Sequence, residues 1–219
     1  MLHSRGLAAY WPLENTALDG SGNGNNGTLI GSPSYAAGKL GRCIGLNGTT
    51  QFINCGNGAS LQITGKTITM AAWIYPTAGG GRSIVAKWTD RSEGNAYGMR
   101  LIDYAGSTYL RALFGVAPLG ADIAVIFTDL PIPIAAAWTH VAVVKTSTHI
   151  LGYVNAVLSS ITLSSTATIY NSSSDLRIGQ LRPSPTYFFM GSIDEALIWN
   201  RDLTQPDIQR VMMGLTPIS

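Results

Sequence analysis

The sequence predicts an all-β fold, a two-sheet antiparallel β-sandwich with one short C-terminal helix, spanning residues 1–219 as a single domain. Three observations predict it. Short runs of β-branched and aromatic residues recur between Gly, Asn, Ser and Pro punctuation. In TITMAAWIY, Ile68, Met70, Ala72 and Ile74 share one face and Thr67, Thr69, Ala71, Trp73 and Tyr75 the other, which is strand periodicity with a core on one side. Asn-Gly pairs beginning at Asn23, Asn26, Asn47 and Asn57 supply positive-φ residues for tight turns between antiparallel strands.

Taken in order, the expected strands are GLAAYW, RCIGLNG, TQFINC, TITMAAWIY, RSIVAKW, AYGMRLI, TYLRALF, IAVIFT, WTHVAVVKT, HILGYVN, LRIGQ and SIDEALIWN. The single helix lies in LTQPDIQRVMMG: Thr204 is the N-cap, Asp207 stands at N3, Leu203 and Ile208 form a staple, and Gly214 closes the end. Ile208, Val211 and Met212 have helical spacing and place this helix against the sandwich. Trp11, Trp73, Trp138 and Trp199 are expected in the core, and Phe188 and Phe189 under a loop. Cys43 and Cys55 fall opposite one another if IGLNGTTQFIN is a hairpin centred on Thr49, which allows a cross-strand disulfide. A slip of one residue leaves two buried thiols instead.

Composition narrows the function. Charged residues are 12% of the chain, about half the usual share, and the formal charge is +2, so no basic field exists to hold nucleic acid. The longest apolar region, residues 121–138, is interrupted by Asp122, Asp129, Pro131 and Pro133, which excludes membrane insertion as a helix. MLHSRGLAAYW lacks the pattern of a secretory signal. So little charge fits either a Gly- and Ser-rich β-protein or a surface partly covered by partner chains.

The ordered motifs GLAAYWPLEN, DGSGNGNNGTLIG, GKLGRCIGLNGTTQFINCG, TITMAAWIYP, WTHVAVV, YVNAVL, LRIGQ and GSIDEALIWNRDLTQPDIQRV resemble a laminin-G-like domain of the concanavalin A-like superfamily, pentraxin-type, over residues 6 to about 213. The resemblance implies a jelly roll of two antiparallel sheets, one concave, with ligand sites at loops or on the concave face. It also implies a calcium ion where an N-terminal loop meets a C-terminal strand.

The stretch DGSGNGNNGTLIGSP, residues 19–33, has little to pack. Asp19, Ser21, Asn23 and Gly24 reproduce the first half of a calcium loop, oxygen side chains at alternate positions followed by a glycine. Ile30 stands where the bidentate glutamate belongs, so a second acid must come from elsewhere. The resemblance sets Asp194 beside this segment. The expected structural calcium site is then Asp19, Asp194, the Asn25 side chain and a backbone carbonyl near Gly22. The competing reading is an Asx-turn in which Asp19 and the asparagines cap their own backbone.

Glycoside hydrolysis needs two facing carboxylates. Only Glu14, Glu93 and Glu195 are glutamates, no E-x-D-x-E strand occurs, and Asp194 and Glu195 are adjacent on a strand, where side chains diverge. No G-x-S-x-G elbow or P-loop appears, and His140 in WTHVAVV reads as a packed strand histidine. The chain is therefore expected to be a non-enzymatic binding or adhesion module. Candidate glycan contacts are Trp88, Asp90, Arg91, Tyr97 and Tyr187.

Residues 113–136 are unusually apolar and offer a face for another chain or a fully buried strand. The expected setting is a virion or extracellular surface, as a decoration or structural protein binding a glycan or a protein lattice, with possible homo-oligomers. The alternative is a free calcium-dependent lectin, or a carbohydrate-binding module from a secreted multidomain protein.

Overall fold

The computed structural model describes residues 5–89, 94–116, 121–123, 131–135, 137–163, 166–181 and 187–217. Fifteen strands are described: β1 Leu7–Trp11, β2 Thr28–Ile30, β3 Ser34–Ala37, β4 Arg42–Asn47, β5 Phe52–Asn54, β6 Ile68–Pro76, β7 Ser83–Lys87, β8 Tyr97–Tyr104, β9 Ser107–Val116, β10 Ala121–Ile123, β11 Thr139–Lys145, β12 His149–Val154, β13 Val157–Leu163, β14 Leu176–Ile178 and β15 Met190–Trp199. One helix, α1 Gln205–Met212, follows them.

They form two antiparallel sheets, in the orders β13-β12-β11-β6-β15-β4-β3, with β1 also on β15, and β10-β9-β8-β7-β14-β5-β2. The main core lies between them. From the first sheet it takes Ile68, Met70, Ala72 and Ile74, the face expected from alternation, and from the second Met99, Leu101, Leu110, Ala112, Phe114, Leu176 and Ile178. The opposite face of the first sheet, with Ala71, Ala142, Val144, Leu197 and Trp199, packs against Leu203, Ile208 and Val211 of the helix region. Thr204 caps α1 in a reciprocal capping box with Asp207, and Leu203 and Ile208 are both buried, as a staple requires.

Several expectations change. IGLNGTTQFIN is not a hairpin: β4 belongs to the first sheet and β5 to the second. Asn47 Oδ1 accepts the N–H groups of Thr49, Thr50 and Gln51, so one side chain organises a crossing between sheets. Cys43 and Cys55 are accordingly two buried free thiols. Of the four Asn-Gly pairs, only Gly24 and Gly48 take positive φ, at 79° and 75°. Gly27 and Gly58 are needed for close approach, since an added Cβ would stand 2.3 Å from Ile53 Cγ2 and 2.3 Å from Asn25 Oδ1 respectively. Trp11, Trp73 and Trp199 are buried, but Trp138 is half-exposed and lies beside Tyr75 with ring centroids 5.8 Å apart.

Candidate functional site

The polar opening loop replaces a missing neighbour strand. β1 pairs with β15 along one edge only. Along its other edge Asp19 Oδ1 accepts the N–H of Tyr10, Asn23 Nδ2 donates to the carbonyls of Leu7 and Ala8, and Asn25 Nδ2 donates to Ala8. Gly20 N–H donates to the Tyr10 carbonyl. These amides satisfy backbone groups that a short edge strand otherwise exposes.

Asp19 is saturated by this arrangement. Oδ1 also accepts from Ser21 N–H at 2.9 Å, and Oδ2 from the Asn25 backbone N–H and Nδ2 at 2.9 and 2.8 Å. Burial alone raises its pKa, but the hydrogen bonds from Ser21, Asn25 and Tyr10 outweigh that and hold it below the usual carboxylate value. Donor hydrogens thus point where a cation would need lone pairs. The Asn25 amide faces Asp19 through nitrogen, and its Oδ1 accepts from Ser60. The Asx-turn reading describes this loop, and the residues around Asp19 do not fit calcium.

Asp194 is held by another segment. β15 pairs with β4 through its first half and with β1 through its second, and a bulge at Glu195, φ 51°, separates the two. There Asp194 Oδ2 accepts the N–H groups of Lys39 and Leu40 at 2.8 and 3.0 Å, while Oδ1 is buried with no hydrogen-bond partner. Glu195 accepts from the Tyr10 hydroxyl at 2.8 Å. Burial pushes Asp194 up to about 6 and Glu195 up to about 7, with Glu14 adding repulsion to both. Among the described residues no group of three or more His, Cys, Asp or Glu is arranged to hold a metal ion.

The expected glycan contacts divide similarly. Tyr97 is wholly buried and donates its hydroxyl to the Leu61 carbonyl, which removes it as a surface contact. Trp88 is only 4% exposed and packs with Ala86, Leu113 and Leu181, so it supports the surface from beneath. Tyr187 is half-exposed above that cluster. Asp90 and Arg91 lie outside the described residues, as does half of the apolar stretch 113–136, although Ile132 is in the core. His140 is buried edge-on to Trp73, and burial lowers its pKa to about 3, so it stays neutral and away from solvent.

Tyr187 marks a surface whose other members the sequence reading missed. Met99, Leu101, Leu110 and Ala112 face the core, so Gly98, Arg100, Ile102, Tyr109, Arg111 and Leu113 face outward on β8 and β9. By the same alternation Arg177 faces outward on β14, and Phe52 and Asn54 on β5. The Arg100 guanidinium carbon lies 4.8 Å from the Tyr187 ring centroid, and that of Arg177 lies 4.7 Å from Phe52. Arg82 donates from Nε to the Gly79 carbonyl and from Nη1 to that of Phe188. The signal was present: in GMRLI and YLRAL a lone arginine stands between apolar residues at strand period. Two open depressions, of about 370 Å³ beside Ser34, Asn47, Gln51 and Ser192 and about 310 Å³ beside Ser60, Gln62 and Asn200, include none of the expected ligand residues.

Among solved structures, domain 4 of the extracellular arabinanase AbnA of Geobacillus stearothermophilus, in complex with arabinotriose, is 22% identical, with a TM-score of 0.71 over 94% of this chain and 98% of that one. The binding domain of botulinum neurotoxin DC in complex with SialylT is 12% identical, TM-score 0.69, over 97% of this chain; the chain spans about half of it, 52%. A heptameric SAP-like pentraxin of Limulus polyphemus is 14% identical, TM-score 0.55, over 69% of this chain and 71% of that one. At these identities the likeness is one of fold. No curated protein sequence matches the chain. The family model described as the concanavalin A-like lectin/glucanases superfamily, of laminin-G type, matches residues 47–209, and with two antiparallel sheets of this arrangement the chain belongs to that family.

Proposed function

We propose that the chain is a non-catalytic carbohydrate-binding module whose site is the outward face of the second sheet. The observation that carries this reading is the half-exposed Tyr187, seated on the Trp88, Leu113 and Leu181 cluster and flanked by Arg100. A ring fixed from below offers a flat apolar surface to a sugar, and planar donors beside it suit hydroxyl and carbonyl oxygens. On the corresponding face of the first sheet the helix region packs over the central strands. The arabinotriose bound to domain 4 of the arabinanase makes that sugar the first probe. The test is calorimetric titration against a glycan panel: Tyr187→Ala should weaken saturable binding by about tenfold, roughly 1.4 kcal/mol, without lowering the melting temperature.

Calcium enters this proposal at Asp194 and not at Asp19. The buried, unpartnered Oδ1 of Asp194 supports that choice, since an oxygen without a proton donor suits a hard cation. Calcium should raise the melting temperature of the natural chain, and Asp194→Asn should abolish that increment.

A second reading, display on a virion or cell surface with self-association, is favoured by β13. This edge strand exposes Val157, Leu158 and Ile161, at 54%, 42% and 59%. Light scattering after size exclusion tests it: Ile161→Lys should convert an oligomer to a monomer, and a monomeric natural chain removes this reading.

A further inference from the structure

We propose that Lys87 and Asn57 join in an intramolecular isopeptide bond that braces the second sheet covalently. Lys87 ends β7, and Asn57 lies three residues beyond the end of β5. β14 runs between these two strands, with Leu176 opposite Lys87 and Arg177 opposite Asn54. The two side chains meet just before β14 begins, where Lys87 Nζ donates to Asn57 Oδ1 and to the Ser174 carbonyl.

The amine is placed as a nucleophile. Lys87 is 1% exposed, and among the described residues its hydrogen bonds go to two neutral oxygens and to no carboxylate. A buried ammonium without a counter-ion in contact is costly, which favours the neutral amine. Burial lowers its pKa to about 8, with Asp175 opposing that shift. The carboxamide is placed as the acyl group. Gln62 Nε2 donates to Asn57 Oδ1 at 2.6 Å and polarises that carbonyl, while Asn57 Nδ2 donates to the Ser173 carbonyl at 3.3 Å, which holds the leaving nitrogen. Nζ attacks Cγ, the new N–C bond forms, and the carboxamide C–N bond breaks with release of ammonia. Asp175 directly precedes Leu176, the register partner of Lys87, and its charge acts on that amine. It carries the proton given up by Nζ to the departing nitrogen, so the reaction consumes no other reactant. The product closes residues 57–87 into a covalent loop that includes β6, which restricts the unfolded chain as a disulfide does.

The test is intact mass measurement and peptide mapping of the full chain under denaturing conditions. The natural chain should be lighter than its sequence by one ammonia, with Asn57 and Lys87 recovered in a single branched peptide. Lys87→Arg and Asn57→Ala should each have the full mass of their own sequence. Asp175→Ala should leave most of the chain unlinked, and full linkage in that variant removes Asp175 from the step. Thermal melts establish which variants fold, and the natural chain decides the matter where one does not. A natural chain at full sequence mass, with Asn57 and Lys87 in separate linear peptides, overturns the proposal without any variant. So does an ammonia loss that persists in Lys87→Arg, because ring closure of Asn57 onto the Gly58 nitrogen releases ammonia without the lysine.

Discussion

Asp19 accepts N–H groups from Tyr10, Ser21 and Asn25 and so joins β1 to the loop that shields its free edge. Asp19→Ala leaves those donors without an acceptor and should cost about 2 kcal/mol, read as a lowered melting temperature. Because its pKa is depressed in the folded state, this contribution is present above the ordinary aspartate value of 3.8 and is lost as pH falls through the lower folded value. Asp194 and Glu195 have the opposite sign. Their folded values of about 6 and about 7 exceed the ordinary 3.8 and 4.5, so the folded state binds more protons between those limits. In chelator, stability should therefore rise as pH is lowered from 8 towards 5. Glu195→Gln should flatten that rise, as followed by melting temperature against pH. A melting temperature that falls steadily from pH 8 to 5 would contradict the assignment.

At the scale of elements, the β8–β9 hairpin that carries Arg100 and Arg111 turns through Ala105 and Gly106, at φ 49° and 81°. Ala105 is exposed and in a left-handed conformation that alanine disfavours, so Ala105→Asn or Ala105→Gly should stabilise the chain by up to ~1 kcal/mol, as measured by denaturant unfolding. The same physics explains which elements the sequence reading reached. Long alternating runs such as β6 and β11 were legible because one face is uniformly apolar. β12 was reached as HILGYVN, but β13 was missed because the turn between them is Asn155-Ala156, not Asn-Gly, and because VLSSITL places apolar residues on solvent. β2 and β3 were missed because each is three or four residues with little burial of its own. The helix was legible to the residue because its cap, staple and closing glycine are all local.

For the described residues as a whole, the helix region packs on the outer face of the first sheet, and the outer face of the second carries the smaller Trp88, Leu113, Leu181 and Tyr187 cluster. Which residues occupy the second sheet's outward face was readable only once the pairing register was known, since alternation distinguishes two faces but not which one meets the core. Tyr187 was reached from sequence as a loop aromatic. Trp88 and Tyr97 were chosen on the same ground, yet one lies beneath the surface and the other inside the core, because exposure depends on what the facing sheet and loops cover. The separation of Asp19 from Asp194 has a similar origin: the β15 bulge turns Asp194 towards residues 38–41, and no local pattern in SIDEALIWN announces it.

The most direct test of the account is to follow backbone amide resonances during titration with the glycan that binds best. Shifts confined to β7, β8, β9 and the residues around Tyr187, saturating with the same affinity that calorimetry gives, are the predicted result. Saturating shifts that fall instead on the β4–β15 depression, on the opening loop or on the helix would contradict it, and with it the assignment of this sheet face as the binding site.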